Sequence, residues 1–434
     1  LGIASTITPF VIIFWFFFIL VTSLNKAFKG LSKGQLSYFL FLFAYLVSFE
    51  MLARMADTSP YLPYEIGKYF LLFFSVIGLL IVGVKSSLGL LLAAIIAPSV
   101  FYDFSGSVVN TDIINYFLGP LGIGLGLAFT HKTRISEVNF DNILRLVWLT
   151  SLSALFFALI KTPDFDNIEF TLSAQSQTTG GQSSNQVSTI LGLGFFLSVY
   201  AIRGRLNFSG NYYLDILFGV MFFFQTLLSF SRGGLVVAII GVFIYLYPEI
   251  KRVRAKVVFF SLVTIIGISL VFVVANNLSK GLLLQRYLGE TEGTIGGYKE
   301  KDFDVFTSGR ATIFSEDIAL WNQFPILGVG CGASRHMRSS GDNVAPHMEF
   351  SRLLAESGIL GLLYFLLLLR YLFNILKRNK YSPRKQILFA ICAIAILSSF
   401  HSAMRTYITP LFIILSSLII VPITNEKNII SRSR

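Results

Sequence analysis

Three residues carry chemistry that their immediate surroundings do not explain. Arg232 lies in Ser231-Arg232-Gly233-Gly234, between two apolar runs with almost no loop separating them. An arginine there is costly unless it faces a polar cavity or an anionic partner, and the two glycines allow a backbone or a ligand to come close. The ordinary alternative is a guanidinium snorkelling to lipid headgroups. Arg310 lies in Thr307-Ser308-Gly309-Arg310-Ala311-Thr312, ahead of a stretch whose Ile313, Phe314, Ile318 and Trp321 fall on one helical stripe. That stripe predicts an amphipathic helix on the membrane surface, with Trp321 at the interface; by itself Arg310 reads equally as a solvated loop charge. His347 follows Pro346 and opens the helical run HMEFSRLLAESGILGLLYFLLLL. Proline favours the first turn of a helix, where the positive end of the dipole disfavours protonation of an imidazole. A histidine so placed is neutral at pH 7 and able to accept a proton. Taken alone it could equally cap the helix or sit at the surface.

Other residues fit supporting positions. Arg335 and His336 are adjacent, and His401 precedes Arg405 by four residues. All are expected at the same face, with Arg335, His336 and Arg405 in supporting roles. Asp164-Phe165-Asp166 and Asp302-Phe303-Asp304 are spaced like paired metal-holding aspartates, but two-residue patterns are common by chance. The spacing of His336, Asp342 and His347 matches no standard zinc site, so neither a metal nor another cofactor is expected. Cys331 and Cys392 are far apart and imply no disulfide framework.

The elements that must position these residues follow from hydropathy. Of 434 residues, 54% are hydrophobic and 13% charged, about half the charge of a soluble globular chain. That excludes an ordinary soluble domain, a disordered chain and a coiled coil. Thirteen apolar stretches suit a helix crossing a hydrocarbon layer of about 30 Å: 8–24, 36–53, 67–84, 87–102, 113–130, 143–160, 186–202, 212–230, 234–248, 257–276, 350–370, 386–400 and 407–424. Strand alternation is absent, which argues against an outer-membrane barrel. Helices satisfy their own backbone in lipid. The expected fold is therefore an all-α, polytopic integral membrane helical bundle with about 13 transmembrane helices and one large periplasmic loop. Residues 1–276 form an N-terminal bundle of about ten helices, 277–349 the loop with its amphipathic helix, and 350–434 about three C-terminal helices. A native start before Leu1 is expected, and a further helix there would place the N-terminus inside.

The net charge of +12 distributes unevenly over these elements. With the C-terminus cytoplasmic, the inner loops hold Lys26, Lys29, Lys33, Lys85, Lys132, Arg134, Arg145, Arg203, Arg205, Lys251, Arg252, Arg254 and Lys256. They also hold Arg370, Lys377, Arg378, Lys380, Arg384, Lys385, Lys427, Arg432 and Arg434. That is 22 of the 35 basic residues, against five acids: Glu137, Asp141, Asp215, Glu249 and Glu426. A surplus of 17 on the short-loop side sets the orientation by the positive-inside rule, and a nucleic-acid partner is not implied. The short inner loops leave no room for a cytoplasmic nucleotide-sugar domain. Chemistry is expected at the outer face, beside the long segments 161–185 and 277–349.

Three segments in order resemble one family. Ser231-Arg232-Gly233-Gly234, then SGRATIFSEDIALWNQFPILGVGCG (308–332), then PHMEFSRLLAESGILGLL (346–363) are similar to the O-antigen ligase and O-antigen polymerase superfamily of bacterial envelope glycosyltransferases. NQVSTIL (185–191) also looks like the family's polar start to a span. The resemblance is sharp over about 225–365 and architectural elsewhere. It implies a bacterial inner-membrane enzyme that uses an undecaprenyl-diphosphate-linked glycan donor on the periplasmic side. It matches Arg232 and Arg310 to diphosphate-holding arginines and His347 to the general base on the acceptor hydroxyl. Family members often carry Asn after that histidine, where this chain has Met348.

The implied reaction is a metal-independent, inverting transfer. A polymerase reading, with a lipid-linked repeat unit as acceptor, is favoured over a ligase acting on a lipid A core. Membrane lipids and other polysaccharide assembly proteins are the expected neighbours. The rival of another class is a lipid-linked oligosaccharide flippase. A transporter should show internal repeats, mid-span charges and small outer loops, none of which is read here.

Overall fold

Helices follow from the apolar runs, and polar residues punctuate them. The structure, a computed structural model, describes residues 1–250, 255–340, 344–379 and 384–422. Asp342, Lys251, Arg252, Arg254, Lys380, Glu426, Lys427, Arg432 and Arg434 lie outside the described residues, as do the side chains of Glu249 and Lys256. The main helices are α1 (Phe10–Ser32), α2 (Ser37–Met55), α3 (Ile66–Val82), α4 (Ser87–Ile96), α5 (Asn110–Thr130), α6 (Glu137–Lys161) and α7 (Ser184–Gly204). They continue as α8 (Tyr212–Leu228), α9 (Arg232–Ile250), α10 (Ala255–Leu278), α11 (Arg310–Gln323), α12 (Glu349–Arg378), α13 (Lys385–Ser402) and α14 (Ile408–Ser416). Hydroxyl and amide side chains start several of them. Ser86 accepts from Gly89 N, Ser136 from Asn139 N and Asn211 from Tyr213 N, each satisfying an otherwise orphaned first-turn donor.

Among the described residues, seven helices are long and apolar enough to cross a membrane: α1, α2, α5, α6, α7, α12 and α13. Shorter apolar helices cover five more of the expected stretches. The last, 407–424, differs from expectation. Among its described residues only Ile408–Ser416 is helical, about 14 Å at 1.5 Å per residue, too short to cross. It is buried throughout, and the chain then turns into β2 (Ile419–Val421), which pairs in parallel with β1 (Arg134–Ser136).

Because successive helices alternate in direction, the two ends of the bundle differ chemically. One end holds β1 and β2, Lys85 bonded to Thr133, Arg384 paired with Asp141 at 2.6 Å, and Arg378 beside His131. The other end collects the turn 229–231, the segments 279–340 and 344–349 and the turn 403–407, where Arg232, Arg310, His347 and Arg405 lie.

One core, rich in Phe, Leu and Ile, runs through the bundle. Trp148 sits at zero exposure in it, its indole donating to Ser198 Oγ at 2.8 Å. Outward faces keep large apolar side chains exposed, Phe14, Leu80 and Phe373 among them, which suits lipid rather than water. Lipid supplies no hydrophobic drive between helices, so close backbone approach matters. At the α7–α9 crossing a Cβ on Gly192 would lie 2.6 Å from Gly234 O.

Helix α12 is broken at Gly358 (φ 60°, ψ −136°), a conformation in which a side chain is strained. The turn ILGVGCG (326–332) fills the break. Val329 N donates to Ala355 O at 2.8 Å and Gly330 N to Glu356 O at 3.1 Å. A Cβ on Gly358 would stand 2.5 Å from Ile326 O, and one on Gly328 2.4 Å from Glu356 C. Gly358→Ala is therefore expected to cost at least about 1–3 kcal/mol and to lower the thermal midpoint of the purified protein by several degrees. An unchanged midpoint would remove this junction as a structural requirement.

Candidate functional site

The site is assembled from turns at one end of the bundle. Arg232 is the first residue of α9, directly after a turn whose Phe230 takes φ 55°. Its two following glycines are explained by protein packing. A Cβ on Gly234 would strike Ser188 of α7 at 2.6 Å, and one on Gly233 the ring of His401 at 2.0 Å. The polar start of α7 braces the same turn, since Ser231 Oγ hydrogen-bonds Asn185 Oδ1 at 2.8 Å.

Arg232 reaches across to the large loop. Nη2 donates to Phe306 O at 2.5 Å and to Ser308 Oγ at 2.9 Å, with the guanidinium 5.1 Å from the Phe306 ring, while buried Nη1 has no partner among the described residues. Arg286 converges on the same point, donating to Ser308 Oγ at 3.2 Å. This arginine is a component that sequence reasoning missed. Its only signal was a lone basic residue inside the apolar run LLLQRY.

Arg310 opens α11. Its guanidinium makes no hydrogen bond among the described residues, and its Nε is buried. Burial, then Arg232, then Arg405, press it down to about 10, and burial, Arg232 and Arg310 likewise press Arg286 to about 10. Both remain cations at pH 7, held in a mutually repelling group.

The loop helix differs from the expected stripe. Ile313, Phe314, Ile318 and Trp321 are only half-buried, while Asp317 and Leu320 are the fully buried residues of α11. Leu320 packs with Val329, Ala333 and Ala355. Asp317 receives Arg338 Nε and Nη2 at 3.0 and 2.8 Å and Ser351 Oγ at 2.7 Å. These bonds lock α11 to the start of α12, so Arg310 and His347 are held by one network. The Asp302 and Asp304 carboxylates are also accounted for: Asp302 accepts from Val305 N at 2.7 Å, and Asp304 from Thr312 N at 2.9 Å.

His347 precedes α12 rather than lying in its first turn, because the helix begins at Glu349. Its neutrality therefore has a different cause from the helix dipole. Burial, then Arg405, Arg310 and Arg338, push the imidazole down to about 3. Nδ1 lies 3.0 Å from Arg405 Nη2. Since arginine can only donate, Nδ1 accepts and the ring hydrogen sits on Nε2. Arg405, expected in support, thus touches His347 directly. Met348 is the N-cap residue but makes no side-chain cap bond, so no polar group replaces the family's Asn there.

Arg335 and His336 serve another partner. Both meet Asp112 near the start of α5, at 2.9 and 3.1 Å, and so tie the loop to the bundle. Beneath the site, Glu349 and Glu356 both pair with buried Arg352, and Glu349 also accepts from Met404 N at 3.1 Å. This fixes the 403–407 turn that carries Arg405.

Arg405 and Arg310 thus face a neutral imidazole, Arg232 and Arg286 lie next to Arg310, and among the described residues none of these four arginines pairs with a carboxylate. A cluster of unneutralised guanidiniums suits an anion with several oxygens. Fold and site together describe a many-helix membrane protein with a cluster of cationic side chains at one end. Residues 216–366 match the family model described as O-antigen ligase, so that segment of the chain is similar to the O-antigen ligase family. The matched segment contains Arg232, Arg286, Arg310 and His347; Arg405 lies beyond it. No curated protein matches the chain. A membrane glycosyltransferase of the ligase or polymerase type is the general class that this match supports.

Proposed function

We propose that this protein transfers a glycan from undecaprenyl diphosphate to an acceptor sugar hydroxyl at the periplasmic face of the bacterial inner membrane, and that the acceptor is a lipid-linked repeat unit, which makes it a polysaccharide polymerase. The observation that carries the reading is the set of carboxylate-free arginines converging on a neutral histidine. In the proposed step the acceptor oxygen attacks the anomeric carbon. The new C–O bond forms as the bond to the phosphate oxygen breaks, the bonding pair leaves with the diphosphate, and the hydroxyl proton passes to His347. One such displacement inverts the anomeric centre. Arg232, Arg286 and Arg310 stabilise the charge growing on the leaving oxygen; preorganised donors of this kind do most where water is excluded.

Arg405 occupies His347 Nδ1, so the imidazole has no free lone pair while that bond stands. A diphosphate is a stronger acceptor for a guanidinium than an imidazole is. Drawing Arg405 onto phosphate frees Nδ1 and also cancels the positive field that disfavours the imidazolium. This predicts a split in the pH profile. His347 in the free enzyme is neutral above about 3, so the acid side of kcat/KM should stay level down to about pH 5, whereas kcat, which reports the loaded enzyme, should fall at a higher pH. Coincident acid limbs in both would contradict the coupling.

The ligase reading stays in play because the matched model is described as O-antigen ligase. Purified protein given lipid-linked repeat units, with and without a lipid A core acceptor, separates the two. A product ladder without the core marks a polymerase, and product only with the core marks a ligase. No product with either acceptor would overturn both. A flippase would move lipid-linked glycan across vesicles without forming a linkage.

A further inference from the structure

Beside the arginine cluster, on the Arg405 side of His347, the structure holds a cavity of about 190 Å³. It lies among the starts of α3, α5 and α7, the 403–407 turn and the large loop. Tyr64, Glu65, Asn115, Tyr116, Gln186 and Arg405 line it, and its charged groups are largely neutralised from within the protein. Buried Arg54 pairs with Glu50 and with Glu65, Lys68 Nζ lies 2.6 Å from Glu65, and Arg335, which also lines the cavity, pairs with Asp112 at 2.9 Å. Only Arg405, at the His347 end, lacks a carboxylate among the described residues.

Several polar groups are left for a ligand. Gln186 Oε1 is held by Arg54 Nη1 at 2.7 Å and Tyr64 OH at 3.3 Å, which leaves the two amide hydrogens of Gln186. Asn115 gives its backbone carbonyl to Lys68 at 2.8 Å, but its side-chain amide bonds to no described residue. Tyr116 carries the Arg352 guanidinium 5.4 Å from its ring and gives its carbonyl to Arg352, and its hydroxyl is likewise unclaimed. Amides, a hydroxyl and a carboxylate set among aromatic rings match a ligand with several hydroxyls and apolar C–H faces. The absence of spare positive charge, except toward His347, does not suit a second phosphate.

We propose that this cavity is the acceptor subsite and takes one neutral pyranose ring, which presents its reacting hydroxyl at the Arg405 end, to His347. This rests on the transferase reading above and adds where the acceptor sits. It also assigns Asn115, Tyr116 and Gln186, which lie outside the matched segment 216–366, to acceptor recognition.

Steady-state kinetics of the full-length protein in nanodiscs tests it, with lipid-linked glycan as donor and a repeat-unit lipid as acceptor varied separately. Asn115→Ala and Tyr116→Phe remove polar groups that hold no described residue, so the fold is expected to survive. Each should raise the acceptor KM about tenfold, the worth of one good hydrogen bond, with donor KM and kcat close to wild type. Wild-type acceptor KM in both variants, or a rise in donor KM instead, would overturn the subsite while leaving the transferase reading intact. A wild-type protein that forms no linkage at all would overturn the transferase reading itself, and the subsite with it.

Discussion

Alanine in place of His347 is expected to abolish glycan transfer while the protein remains folded in the membrane. The side chain makes one hydrogen bond, with Arg405, and the backbone contact of this residue, His347 O accepting from Ala403 N at 2.9 Å, survives the change. The loss is therefore chemical. A positioned general base contributes on the order of 10²–10⁴ in rate, and kcat should fall by about that factor. His347→Gln sharpens the test. Glutamine still offers Arg405 an oxygen, but it cannot take a proton, so it should be as inactive as alanine. Near-normal activity of the glutamine variant would make His347 a positioning residue for Arg405. Cells carrying His347→Ala and still making normal long-chain glycan would remove the catalytic assignment altogether.

Arg310→Ala is expected to produce the second large effect. Its guanidinium holds no other protein group among the described residues and sits among Arg232, Arg405 and His347. Removing it takes away a cation proposed to face the leaving diphosphate without breaking a structural bond, and the neighbouring arginines lose a repulsive partner. Loss of one preorganised donor costs on the order of 10²–10³ in kcat; thermal stability should hold or rise. Arg310→Lys, which keeps the charge but not the planar fork, should recover only part of the rate. Arg232→Ala should also abolish transfer, but it frees Phe306 O and Ser308 as well, so its effect mixes loop anchoring with chemistry. Wild-type kcat in Arg310→Ala, measured at saturating donor, would contradict diphosphate binding by this residue.

The long-range pattern was legible in the sequence where one physical term dominates. Runs such as 143–160 and 186–202 leave a helix as the only economical choice in lipid, and both lie inside described helices, α6 and α7. The run 407–424 misled because hydropathy cannot tell a span from a buried core segment. Its apolar residues pack inside the bundle, and its last part forms a strand. At the site, Arg232, Arg310 and His347 stood out through cost and placement, and the structure brings their turns to one end. Arg286 had no comparable signal, and the contact of Arg405 with His347 spans 58 residues, a separation that local spacing cannot reveal. The neutrality of His347 has a cause that local sequence does not carry. A helix dipole is a local inference, whereas burial among arginines from other elements is tertiary. The same limit hid the cavity, whose walls come from residues 64 to 405.

Displacement of a diphosphate from a lipid-linked sugar at this arginine–histidine cluster is the proposed reaction. It is tested most directly by counting undecaprenyl diphosphate released by purified protein given lipid-linked glycan and acceptor. One diphosphate per linkage formed is expected from the wild type, with release at background from folded His347→Ala. Release at the wild-type rate from His347→Ala, or linkages formed without diphosphate release, would contradict it.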